Sequence, residues 1–187
     1  MMNSLHLTRP QHSGCRRGSA LVLSLTMVAG GMSGPASVDG TVTAQASGPC
    51  ALLTTDEIQP LALKASVGAG VPSSIENLGY STCRYAWGEG TGRFKLDVTV
   101  SDASRVFAGT GPDQIKQRLQ ASVMAGTADA VVADIGEAAV FKADSPLYVH
   151  ATAYAKGRIL QVHLDGFDAR EKKDQVIALL KSAASRL

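Results

Sequence analysis

Residues 147–165, LYVHATAYAKGRILQVHLD, alternate with a period of two. Leu147, Val149, Ala151, Ala153 and Ala155 are the apolar set before Lys156-Gly157, and Leu160, Val162 and Leu164 are the apolar set after it. The alternate positions are Tyr148, His150, Thr152 and Tyr154 on one side of the turn and Ile159, Gln161, His163 and Asp165 on the other. A period of two is the signature of a strand with one buried face, and a two-residue turn holding Gly makes the pair a hairpin. Setting apolar opposite apolar pairs Ala155 with Arg158 and fixes the register. His150 then stands across from His163, Tyr148 across from Asp165, and Thr152 across from Gln161. A three-residue turn with a bulge at Gly157 would set His150 against Val162 and mix the faces. In the favoured register the two imidazoles form a non-hydrogen-bonded pair, with Cβ atoms ~4.5–5.5 Å apart.

The rest of the chain supplies partners for that hairpin. Strands are expected over 80–87 and 93–101, joined by Gly88-Glu89-Gly90-Thr91. Setting Cys83, Tyr85 and Trp87 against Leu96, Phe94 and Gly92 makes one apolar face. Tyr80, Thr82 and Arg84 with Thr99, Asp97 and Lys95 make the other. Thr54 with Glu57 three residues on is a capping box, so a helix starts there and buries Ile58, Leu61 and Ala65. Pro60 inside it implies a kink or a broken first turn. The stretch 67–77, rich in Gly, Ser and Pro, reads as a loop. A helix opens near Pro112 and runs to about 125, with Ile115, Leu119 and Val123 on one face. Weaker strands are expected at 130–134 and 138–143 around Gly136. A last helix at 169–187 turns Val176, Leu180, Ala183, Ala184 and Leu187 inward. Hairpins flanked by helices imply an α+β fold: a single antiparallel β-sheet with helices packed on one face and much of the other left open.

The N-terminus is a targeting segment rather than part of that fold. Arg9, Arg16 and Arg17 precede the apolar run 20–29, ALVLSLTMVA, which is too short to span a bilayer. Small residues follow, and Ala44-Gln45-Ala46 fits an A-x-A cleavage site. Residues 1–46 are read as a cleavable signal peptide and spacer, and 47–187 as one exported domain, periplasmic or secreted. The alternatives are an uncleaved anchor, and twin-arginine export through Arg16-Arg17. Cleavage removes three Arg and one Asp, so 18 basic and 16 acidic residues become 15 and 15. A neutral domain carries no electrostatic footprint for nucleic acid. Cys15 leaves with the signal, and Cys50 and Cys83 remain. Two cysteines in an exported chain suggest a disulfide, the alternative being two buried thiols.

Motifs with chemical content are few. Gly88-Glu89-Gly90-Thr91-Gly92 joins two strands and is a turn, not a dinucleotide fingerprint. Gly109-Thr110-Gly111-Pro112 opens a helix, and no Lys follows in phosphate-loop spacing. There is no Gly-x-Ser-x-Gly elbow. Asp168, Glu171 and Asp174 suit the dipole of the last helix. What remains is the polar sheet face: His150, His163, Asp165, Tyr148, Thr152, Gln161, Arg84 and Asp97 form the candidate ligand face. His150, His163 and Asp165 are also the one candidate metal set, and adjacent imidazoles resist double protonation. No catalytic residue and no cofactor is assigned.

Pro49-Cys50-Ala51-Leu52-Leu53-Thr54, an acidic helix start, Cys83-Arg84-Tyr85-Ala86-Trp87, Asp134-Ile135-Gly136-Glu137-Ala138-Ala139, and a late hairpin with a C-terminal helix run through nearly all of 47–187. This pattern resembles a family of small exported bacterial proteins of unknown function, many of them lipoproteins. The resemblance implies a disulfide joining the Pro-Cys element to the Cys-x-Tyr-x-Trp strand, and it implies no catalytic residues. The chain departs from the pattern in having no lipobox Cys after the apolar run and in carrying Pro60. Three functions stay open. One is an exported binding or accessory domain for a small molecule or envelope protein. A second is a metal-assisted hydrolase centred on His150, His163 and Asp165. The third is a structural envelope protein. Intact mass of protein from its native compartment is expected to match 47–187 and to rise by one hydrogen per sulfur on reduction. An unshifted mass removes the bridge.

Overall fold

Seven strands join in one sheet, every neighbouring pair antiparallel, in the order β1-β2-β3-β7-β6-β5-β4. The computed structural model describes residues 48–75, 79–89 and 92–187, and at 89 and 92 the backbone alone. The signal segment, Asn77, and Gly90-Thr91 of the first turn lie outside the described residues. The strands are β1 Val71–Ile75, β2 Tyr80–Glu89, β3 Gly92–Asp102, β4 Ala130–Val132, β5 Ala138–Ser145, β6 Tyr148–Ala155 and β7 Arg158–Asp165. The helices are α1 Thr55–Ala62, a single turn α2 Ala103–Val106, α3 Pro112–Met124 and α4 Lys173–Ser185. Short 3-10 turns at Gly48–Ala51 and Ala169–Lys172 precede α1 and α4. The architecture is α+β, as the hairpins imply, with a Cys50–Cys83 disulfide (S–S 2.05 Å).

The late hairpin has the register that apolar matching demands. Ala155 faces Arg158, and His150 faces His163. Lys156 (φ 50°) and Gly157 (φ 75°) both take the left-handed conformation, as a type I′ turn requires. The Asp-Ile-Gly-Glu motif docks beside this turn. Gly136 (φ 57°) lies against the Tyr154 carbonyl, and Glu137 accepts the Lys156 N–H at 2.9 Å.

Two expectations need correction. Residues 71–75 are not loop but the edge strand β1, paired on β2 with Pro72 opposite Cys83. All five residues are exposed, so no hydrophobic period marks them, and Pro is tolerated at a sheet edge. In the first hairpin Cys83 faces Val98, Tyr85 faces Leu96 and Trp87 faces Phe94. The register has slipped by two because the strands run on to Glu89 and Gly92, which leaves a shorter turn. A two-residue slip keeps every side chain on its expected face. Trp87 and Phe94 stack, with ring centroids 5.6 Å apart.

The core lies on one face of the sheet. Cys83, Tyr85, Leu96, Val98, Leu160, Val162, Leu164, Val149 and Ala151 meet α1 and α4 there. From α4, Val176, Leu179, Leu180, Ala183 and Ala184 are buried. Not every helix stays on this face: α3 lies across one end of the other. Ile115 of α3 packs with Ala103 and Tyr154, and Leu119, Phe107 and Ile159 adjoin them. Tyr154 and Ile159 supply the reason, since they put apolar surface on the otherwise polar parity.

The short segment 48–62 is held at several points. Thr54 and Glu57 form the full capping box, so the first turn of α1 is intact despite Pro60. Past its end, Gln59 Nε2 donates to the Ala65 carbonyl at 2.6 Å. Tyr85 donates its hydroxyl to the Leu53 carbonyl at 2.7 Å, and Lys172 donates to the Leu61 carbonyl at 3.0 Å. Arg186 grips Glu57 with two nitrogens, at 2.7 and 2.8 Å, and Ser182 donates to the same carboxylate. These donors hold the Glu57 carboxyl at about 2, down from 4.5, the Arg186 guanidinium being the largest cause. A carboxylate lowered in this way stabilises the fold above its unfolded value, and the contribution fades as pH falls from 4.5 towards 2. Glu57→Gln is expected to lose about 1–2 kcal/mol at pH 7, a figure discounted for the solvent around Arg186. The loss should vanish by pH 2 in urea melts, and an equal loss at both pH values would refute the assignment.

Candidate functional site

The polar parity of the central strands forms one continuous surface because β3 lies beside β7. Each cross-strand row reads directly from the pairing. One row runs Arg84, Asp97, His163, His150, Lys142 from β2 to β5. The row beside it runs Thr82, Thr99, Gln161, Thr152, Val140. A third runs Lys95, Asp165, Tyr148, Ser145. All eight sequence-predicted face residues are therefore brought onto one surface.

Adjacent rungs bond to each other. Arg84 donates from Nε and Nη2 to the two oxygens of Asp97, at 2.7 and 2.8 Å. The hydroxyls of Thr82 and Thr99 share a hydrogen bond of 2.9 Å. Gln161 Nε2 donates to Thr152 Oγ1 at 3.2 Å. Asp165 takes Lys95 as its ion-pair partner at 3.5 Å. The Tyr148 ring leans on His163 with centroids 3.9 Å apart and meets His150 edge-on at 6.1 Å.

The structure adds two residues that the sequence reading missed. Lys142 lies across from His150, and Asp144 bonds Lys142 at 2.6 Å. Asp144 Oδ2 also stands 3.1 Å from His150 Nδ1. That contact is off the line of the ring N–H, because Nδ1 is among the buried polar atoms with no aligned hydrogen-bond partner. His163 Nε2 is another such atom. Residues 138–141 are all apolar and show no alternation, so the Lys142–Asp144 spacing of two was the available signal. It could not say that β5 would pair with β6.

Burial lowers both imidazoles from their usual 6.5. At His150 the Asp144 carboxylate opposes this and Lys142 reinforces it. At His163, Asp97 and Asp165 oppose and His150 reinforces. Both rings are therefore neutral at neutral pH. The Tyr148 hydroxyl is raised, by burial first and then by Asp144, Asp165 and Asp97. The Asp144 carboxyl is lowered, chiefly by the Lys142 hydrogen bond.

A metal centre on His150, His163 and Asp165 does not fit this geometry. Asp165 sits in the next row, opposite Tyr148 and paired with Lys95. Among the described residues, no three His, Cys, Asp or Glu side chains converge as a ligand set. The geometry instead offers an open groove of about 470 Å3 over β1, β2, β3 and β7. Thr82, Arg84, Asp97, Thr99, Gln161 and His163 line it, and Tyr80 and Ile75 form its apolar margin. Comparison with protein-family models, with curated proteins and with solved structures finds no match.

The histidines have a consequence for stability. Each binds its proton more weakly folded than unfolded, so acidification below pH 6.5 favours the unfolded chain. The loss begins near 6.5 and levels off once the pH is below the lowered folded values. The urea midpoint is expected to fall between pH 7 and pH 5. His150→Gln and His163→Gln should each flatten that fall, and an unchanged slope in both variants would refute it.

Proposed function

We propose that this chain is an exported, non-enzymatic binding domain whose uncovered sheet face takes a small polar ligand. The observation that carries this reading is the groove of about 470 Å3 on that face. Its volume falls within the range of small-molecule sites, roughly 300–1,000 Å3. Most of its floor is β2, β3 and β7, each paired with a neighbour on both sides, so the backbone that carries its polar groups is fixed before a ligand arrives. Preorganised groups lose less entropy on binding.

Export is the second part of the proposal. The Cys50–Cys83 bridge is compatible with an oxidising compartment, and none of the described helices is long and apolar enough to cross a membrane. The N-terminal pattern of arginines, a short apolar run and Ala44-Gln45-Ala46 supports the same route. The resemblance to small exported bacterial proteins points the same way.

Amide chemical-shift mapping of the oxidised domain tests the binding face. Pools of small polar metabolites (sugars, amino acids, organic acids and phosphates) would be titrated in. Shifts confined to β2, β3, β7 and their neighbours are expected. Ligand shifts confined to the α1–α4 side, or no shift with any pool, would overturn the reading.

A further inference from the structure

The groove narrows its own ligand by what it lacks. Among the described residues its lining holds one cation and one anion, Arg84 and Asp97, which neutralise each other through a bidentate pair. His163 is neutral at neutral pH, its proton affinity reduced by burial. The described lining thus presents no net charge, and neither a phosphate nor a metal cation meets a complementary field from it. Apolar ligands fare no better, since among the described lining residues Ile75 and Tyr80 are the only large apolar side chains.

What the groove does present is unused hydrogen-bonding capacity. A guanidinium has five N–H donors; Arg84 gives two to Asp97 and keeps three. Each Asp97 oxygen accepts one of those bonds and keeps a lone pair. One bond joins the Thr82 and Thr99 hydroxyls, so one hydroxyl hydrogen and several lone pairs stay free. Gln161 spends one amide hydrogen on Thr152 and keeps its second hydrogen and its carbonyl oxygen. Ser73 and Ser101 add hydroxyls at the rim. Donors and acceptors are therefore interleaved at the strand spacing of about 4.8 Å, beside one aromatic ring. A molecule that uses such a grid carries many hydroxyls, each donating and accepting, on a compact carbon frame with C–H groups for the Tyr80 ring.

We infer that the groove over β1, β2, β3 and β7 is a site for a neutral saccharide, with Arg84, Asp97, Thr99 and Gln161 bonding its hydroxyls and Tyr80 bordering its carbon face. This rests on the binding-domain reading and gives that site its ligand class. Binding to a neutral sugar depends little on ionic strength, whereas anion capture by Arg84 weakens with added salt.

Calorimetric and amide-shift titrations of the oxidised protein test it, with neutral mono- and disaccharides as probes and inorganic phosphate and citrate in a second arm. Saturable binding of at least one saccharide is expected, unchanged between 50 and 500 mM salt (~14 and ~4 Å of screening length). Thr99→Val and Gln161→Leu should each weaken it about tenfold. Both leave the core untouched, and unchanged thermal melts would confirm that the fold survives. Binding of phosphate or citrate alone, lost at high salt, would overturn the saccharide inference while leaving the binding domain standing. Saccharide shifts unaffected by both variants would also overturn it. If no saccharide binds, and the metabolite pools shift nothing on this face either, both readings fall.

Discussion

One face of a seven-stranded sheet has to be closed by two short helices, and the clamp on residues 48–62 makes that closure work. Alone, α1 is an eight-residue helix with Pro60 inside it, far below the length at which a helix is stable in water. It stays in place because its N-terminal side is tied twice and Lys172 holds the Leu61 carbonyl near its other end. Cys50 is bonded to Cys83 on β2, closing a loop of 33 residues, worth about 3–4 kcal/mol on a chain-entropy basis. In its first turn Glu57 is gripped by Ser182 of the C-terminal helix and by Arg186, which caps that helix. Tyr85, inside the core, donates to the Leu53 carbonyl and so satisfies a backbone acceptor that would otherwise be buried unpaired. Chain start and chain end of the folded part are thereby fastened to each other over the same apolar surface.

Closing one face in this way leaves the other free to be polar. The uncovered face is not loosely solvated, since its rungs bond to each other from Arg84 to Asp97 and from Thr82 to Thr99. Its charges are paired locally: Arg84 with Asp97, Lys95 with Asp165, Lys142 with Asp144. Between these pairs sit two imidazoles whose buried nitrogens lack aligned partners. Burying them costs stability that an all-threonine row would not forfeit. The grid is charge-balanced and keeps unspent donors, which supports the proposed recognition of polar groups.

The parts of the fold that could be read in advance were those with a local period or a local cap. The late hairpin was legible because its alternation continues unbroken on both sides of Lys156-Gly157. The start of α1 was legible from Thr54 and Glu57. Strand β1 was not, because a fully exposed edge strand buries nothing and therefore shows no pattern. The first hairpin was legible in its faces but not in its register, since a shift of two leaves the alternation unchanged. Asp144 escaped notice as a neighbour of His150 because the two meet only through the β5–β6 pairing.

Local chemistry alone was enough to decide which side chains share a face, where the helix caps fall and that His150 stands opposite His163. Those properties depend on residues close in the chain, or on a hairpin whose turn sets its own register. Which hairpins become neighbours was decided by packing. Only the β3–β7 contact sets Asp97 beside His163 and Thr99 beside Gln161, and only apolar Tyr154 and Ile159 draw α3 across one end of the open face. Such contacts join segments about 40 to 65 residues apart, and no short-range period can encode them because their free energy comes from surface buried after the elements have formed.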